Sequence, residues 1–299
     1  MKQVKVRIEG VPEHYNLPWK IAIERGLFAA AGIEVVWSEN KSGTGAMCQN
    51  LRMGKSDMAV LLTEGAVLDI NKGNKSKICS FFVESPLVWG VHVSGKAMGQ
   101  LKDFSSSKFA ISRLTSGSHL MAFVYANQNN RVLEKDDFQI VNHMEGSRQA
   151  MSEDESLIFM WEKFMTKHLV DSGELRCIDE CPTPWPAFTV VASNKLLESN
   201  REVVNRILAI VQLQAKELKE DESTVKLLLD RYKLSEQDAK EWFSSVEWSL
   251  SSTMAESILS SVSSTLKDLG LLEECMEISD LCSSNQIPRG HWSKLDPSA

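Results

Sequence analysis

The 299-residue chain is long enough for two domains, and 43% hydrophobic with 24% charged residues excludes a disordered or fibrous protein. A formal net charge of −7 argues against a nucleic-acid partner, which needs a basic footprint. No run approaches the ~18 apolar residues of a membrane span, so no membrane insertion is expected.

The elements alternate strand and helix from the start. Val4–Ile8 is an alternating strand, and His14, Tyr15 and Asn16 lead into a helix over Trp19–Ala31. Ile33–Trp37 is the second strand. Ser42-Gly43-Thr44-Gly45 then opens a helix, and Asp57–Leu62 is a third strand followed by Thr63-Glu64-Gly65 at the next helix start. In open α/β sheets ligands sit at the carboxyl ends of strands against helix N-termini, which is where these three turns fall. The Gly-Thr-Gly turn suits close backbone approach to a ligand, or simply a flexible N-cap. Glu64 suits an acceptor for a ligand amine or amide, or a first-turn acid on the helix dipole. His14, Tyr15 and Asn16 read either as a clasp for a planar ligand or as satisfied loop residues.

Two strands, Ile78–Val83 and Leu87–Val93, are expected either side of Glu84-Ser85-Pro86. A helix over Met98–Phe104 and a strand over Lys108–Ser112 follow. Arg113 and the run Thr115-Ser116-Gly117-Ser118-His119 then stand at a helix start, with hydroxyls, a glycine and a guanidinium suited to an anion. The same run also fits an ordinary capping cluster. Strands at Phe138–Val141 and Ala187–Ala192 and a helix from Glu145 complete this part, with Pro182–Pro186 as a rigid lead-in to the last strand. Trp89, Trp161 and Trp185 are placed at strand ends or in loops, as aromatic walls for a flat ligand. Trp242 and Trp248 read as packing residues. Beyond residue 200 the chain is helical, with Asn200 as an N-cap and further helices near Ser223–Tyr232, Ser235–Trp242 and Ser252–Leu269. The polar tail from Ser283, with Pro288 and Pro297, is expected to fray.

This order predicts an α/β protein of two lobes joined by a hinge: residues 1–90 with 189–299 form lobe I, and 91–188 form an inserted lobe II. The six cysteines are scattered, as suits reduced thiols, and their spacings are not those of common zinc sites. No hydrolase elbow, zinc-protease motif or dinucleotide fingerprint is present, so no catalytic residue, metal or cofactor is expected. Met1-Lys2-Gln3 passes straight into a strand with no apolar signal core, so the expected location is cytoplasmic.

Several of these stretches together carry a resemblance. Leu17-Pro18, Gly26-Leu27-Phe28, Gly32–Val35, Gly43–Gly45, Asp57–Val60, Leu62–Gly65, Ser112-Arg113, Ser116–His119, Trp161–Phe164 and Pro184-Trp185-Pro186 make residues 4–270 similar to the type 2 periplasmic-binding-protein fold. The nearest resemblance is to its sulfonate-, nitrate- and thiamine-pyrimidine-precursor-binding branch, and within it to cytosolic, signal-less members found in fungi. The resemblance implies a helical C-terminal part and an interlobe cleft that closes on a polar or anionic ligand, aromatic ones included. It implies ligand contacts at His14–Asn16, Ser42–Gly45, Thr63–Gly65 and Arg113–His119, and adds Glu145 and Gly146. A small molecule is the expected partner and a monomer the expected state, while the missing export signal argues against a transporter partner. The alternative is an enzyme on the same scaffold, like thiamine-pyrimidine synthases or menaquinone-pathway enzymes. The adjacent cysteines of the former are absent here.

Overall fold

The computed structural model describes residues 3–232 and 234–283, so the polar tail expected beyond Ser283 lies outside the described residues. The chain divides into two compact units, residues 1–85 with 184–299, and residues 86–183.

The first unit starts with β1 (Val4–Gly10), α1 (Leu17–Glu24), α2 (Leu27–Ala30), β2 (Ile33–Glu39), α3 (Thr44–Arg52), β3 (Met58–Leu62) and α4 (Thr63–Asn71). The helix expected over Trp19–Ala31 is two pieces, because Gly26 takes a left-handed φ of 67° between them. β1 runs parallel to β2 and β3, and β3 runs antiparallel to the later strand β8 (Leu175–Ser193), with Leu62 opposite Phe188. Both faces of β3 are covered, so its Met58–Leu61 run is apolar throughout and buried. Parallel pairing puts the carboxyl ends of β1 and β3 at one edge, and the helix starts that follow them gather there.

β4 (Ser76–Ser94) is one continuous strand through Pro86, where the sequence suggested two. The proline removes a ladder donor, and the flanking amides find partners outside the ladder: Glu84 N–H donates to Glu247 O at 2.7 Å, and Leu87 N–H to Thr183 Oγ1 at 3.0 Å. β8 likewise runs unbroken through Pro182, Pro184 and Pro186. Along residues 78–84, β4 is edged by two short segments. Ile78 pairs with Cys282 and its carbonyl accepts from Ser283, while Phe82 O accepts from Ser249 N–H.

The second unit holds β5 (Phe109–Ile111), α5 (Gly117–Gln128), β6 (Phe138–Ile140), α6 (Met144–Glu153), β7 (Ile158–Glu162) and α7 (Lys163–Asp171). β7 pairs antiparallel with the later part of β4 and parallel with β5, which pairs parallel with β6. Only a single 3-10 turn at Leu101–Phe104 replaces the helix expected from Met98. Ala110, Val141, Met151, Leu157, Phe159, Leu169 and neighbours form the core here.

After β8 the first unit continues with α8 (Asn194–Glu220), α9 (Thr224–Arg231), α10 (Glu236–Ser245), α11 (Glu256–Asp268) and α12 (Ile278–Leu281). Asn200 is a break rather than a clean start: at φ −149° and ψ 46° it joins two helical stretches of α8. Val204, Ile207, Leu208, Val211, Ala215 and Leu218 form the buried stripe, at helical spacing. Ser235 caps α10 as expected, its side chain accepting from Asp238 N–H. All six cysteines are free thiols. Among the described residues no helix is long and apolar enough to cross a membrane, and no group of three or more His, Cys, Asp or Glu side chains is placed to hold a metal ion.

Candidate functional site

The strand ends of the first unit bring four stretches together. A short 3-10 turn, His14–Asn16, follows β1 and is entirely buried. Gly43, at φ 74°, caps α3, a conformation that favours glycine. Thr44 then turns inward, and its Oγ1 accepts from Leu62 N–H at 3.1 Å, tying the start of α3 to the end of β3. Gly65 makes that approach feasible, since a Cβ there would lie 2.5 Å from Thr44 Cγ2.

Polar atoms inside this corner are unevenly satisfied. Glu64 is 0% exposed, and its Oε2 accepts from the Trp185 indole N–H at 2.8 Å. Its Oε1 has no hydrogen-bond partner among the described residues, and neither does Thr63 Oγ1 or Asn16 Oδ1. Asn16 Nδ2 is engaged, donating to Val11 O at 2.8 Å. Burial without a countercharge pushes the Glu64 carboxyl up to about 7. Burial also drives His14 down to about 3, so its imidazole is neutral at ordinary pH. Aromatic rings wall the same corner. His14 stacks on Tyr15 with centroids 4.9 Å apart and meets the edge of Trp242 at 4.3 Å, and Tyr15 lies 5.2 Å from Phe188. Trp248 donates to Tyr15 O at 2.9 Å, whereas the buried Trp242 Nε1 has no hydrogen-bond partner among the described residues.

The corresponding corner of the second unit lies between β5 and α5. Ser116 caps the helix, its Oγ accepting from His119 N–H. Ser118 Oγ accepts from Ser112 N–H at 3.0 Å and lies 3.3 Å from Ser112 Oγ and 3.1 Å from Ser116 Oγ. Thr115, at a left-handed φ of 62°, donates its N–H to His119 Nδ1 and its hydroxyl to Leu114 O. His119 packs edge-on against Phe123 and Phe138. Arg113 is half-buried at the start of this turn.

Comparison with known proteins agrees with this fold. A family profile described as Ca3427-like PBP matches residues 89–181. The solved structure of the Candida albicans CA3427 gene product, described as defining a new family with the generic periplasmic binding protein fold, is 25% identical. It superposes with a TM-score of 0.86 over 95% of this chain and 97% of that one. The chain has the type 2 periplasmic-binding-protein fold. Two further structures of this fold agree in architecture. The alkanesulfonate-binding protein of Xanthomonas axonopodis pv. citri, bound to MOPS, is 12% identical with a TM-score of 0.76, covering 95% of this chain and 99% of that one. The aliphatic sulphonate-binding protein of Escherichia coli is 13% identical with a TM-score of 0.68, covering 96% and 94%. No curated protein matches the sequence.

In this chain of periplasmic-binding-protein fold each of the remaining candidate residues lies within its own unit. Ser42 is exposed, its N–H donating to Asn40 Oδ1, and Gly45 lies in the first turn of α3. Gly117 and Ser118 open α5. Glu145 sits on the exposed first turn of α6 in an ion pair with Arg148 at 2.6 Å, and Gly146 N–H donates to His143 Nδ1 at 3.1 Å. Trp89 and Trp185 lie inside long strands rather than at strand ends or in loops, because β4 and β8 pass through their prolines. Trp89 is 5% exposed and stands opposite Glu162, and Trp161 stacks on Phe159 at 5.5 Å against the second unit's core. Phe188 and Trp242 were not sequence candidates, yet both border the first corner. Trp242 carried no local signal, since its place beside His14 depends on how α10 packs. The first corner holds buried acceptor atoms without hydrogen-bond partners among the described residues; the second directs its hydroxyls into its own turn.

Proposed function

We propose that this chain is a small-molecule-binding protein, with a polar ligand of aromatic or otherwise flat body engaging the strand-end corner of the first unit. One observation carries this reading: Asn16, Thr63 and Glu64 keep buried side-chain oxygens without partners among the described residues, at the sheet edge where α/β folds hold ligands. Leaving such atoms unsatisfied costs about 1–3 kcal/mol each, a cost a ligand's donors would remove. The sulfonate-binding proteins with this fold support the general class, small-ligand binding. The test is a thermal-shift screen of the full chain against aminopyrimidines, pyridoxal phosphate, sulfonates and aromatic acids. Binding raises the melting temperature by mass action on the folded state. If no compound of these classes stabilises the protein, the reading fails. The enzymatic alternative is separated by mass spectrometry of a stabilising compound after incubation, since turnover changes its mass and simple binding does not.

A further inference from the structure

Donors and acceptors at the first corner are not balanced. The Leu62 amide is held by Thr44 Oγ1, the Trp185 indole by Glu64 Oε2, and the Asn16 amide nitrogen by Val11 O. Among the described residues, the side-chain atoms left without partners here are the acceptors Glu64 Oε1 and Asn16 Oδ1 and the Thr63 hydroxyl, with the Trp242 N–H also unpaired on the ring packed against His14. Glu64 is fully buried, and no charged side chain among the described residues offsets it: burial, its own amide and Trp185 are the influences on it. An oxyanion placed here would be repelled by the ionised Glu64 carboxylate in a low-dielectric interior, where like charges repel strongly, and would bind only at the neutral acid. A cation with N–H donors meets the opposite situation.

We infer that the ligand presents a positively charged N–H donor, a protonated amine or amidine, to Glu64 Oε1, with Trp185 fixing the other carboxylate oxygen. This rests on the ligand-binding reading above and deepens it by naming the chemistry of the head group. It separates this chain from the sulfonate binders whose fold it shares. Trp185 is a positioning residue in this arrangement, because its indole N–H holds the carboxylate in one orientation.

The experiment uses three probes with one phenyl ring: benzamidine (cationic), benzamide (its neutral counterpart) and benzenesulfonate (anionic). Each is titrated into the full chain and into Glu64→Gln, with melting temperature and calorimetric Kd as readouts. Benzamidine near 100 times its Kd should raise the melting temperature of the unmodified chain by about 5 °C. Benzamide should bind more weakly and benzenesulfonate should not act at this corner. Glu64→Gln should weaken benzamidine on the order of a hundredfold while leaving any benzenesulfonate effect in place. Should the variant not fold, the ranking of the three probes on the unmodified chain still decides.

Equal benzamidine affinity in both proteins overturns the inference. So does stabilisation by benzenesulfonate or another compound of the wider screen with none by benzamidine; small-molecule binding then stands without the cationic head. Failure of all three probes and of the wider screen removes the ligand-binding reading itself.

Discussion

At the start of α5 the hydroxyls of Ser112, Thr115, Ser116 and Ser118 are all engaged within their own turn, whereas at the start of α4 Thr63, Glu64 and nearby Asn16 keep buried oxygens unpaired. Both corners follow a strand, open a helix and combine small residues with polar ones. The difference lies in who satisfies whom. A closed hydroxyl network stabilises the turn that contains it, and an open set of acceptors in a buried, aromatic-walled corner is available to something else.

Four experiments sharpen or break this contrast. The largest effect is expected at Trp185, 1% exposed and the hydrogen-bond partner of Glu64. Trp185→Ala should cost about 3–5 kcal/mol in urea unfolding, through cavity formation and loss of the indole donor. The second is a pH effect. Glu64 titrates near 7 in the folded chain against an ordinary value of 4.5, so the fold favours its neutral form. Its contribution is complete below pH 4.5, falls as pH rises towards about 7, and is flat above. The ligand-free chain should therefore lose up to about 3 kcal/mol relative to Glu64→Gln between pH 4.5 and 7.5. A pH-independent difference would mean that Glu64 is not desolvated as described.

Gly65→Ala comes next, at about 2 kcal/mol, because the new methyl meets Thr44 Cγ2. Combining it with Thr44→Ser, which removes that methyl and keeps the hydroxyl acceptor, should recover most of the loss in a double-mutant cycle. The smallest effect is Ser118→Ala in the second unit, about 1–2 kcal/mol, through the stranded Ser112 amide. If the contrast holds, this loss is the same with or without a bound probe. A Ser118→Ala variant of full stability that no longer responds to ligand would reverse the assignment of the two corners.

Much of the fold is legible in the sequence. Val4–Ile8 alternates, Met58–Leu61 is continuously apolar, and the helix of residues 201–220 repeats its apolar positions at helical spacing, as two-sided and one-sided burial require. The long strands were not legible. Pro86, Pro182, Pro184 and Pro186 read as breaks, and what carries the chain through Pro86 is a side-chain acceptor from Thr183, almost a hundred residues away. The candidate site is legible as a set of turns, since helix starts after strands announce themselves locally. Its chemistry is not, because the same Ser, Thr and Gly residues serve a cap or a ligand depending on tertiary partners. Trp242 shows this most plainly: only the packing of α10 brings it to His14.

The edging of β4 has a consequence for handling the protein. The apolar run Ile78–Val83 is covered on that side by segments joined to it only late in the chain, around Ser249 and Cys282. A nascent chain that has not reached Ser249 would carry these six uncharged, strand-forming residues with a bare ladder edge, and one clipped near residue 270 would bare the Ile78 end alone. Such an edge recruits other chains. Yield and monodispersity on expression therefore depend on segments that the chain supplies last.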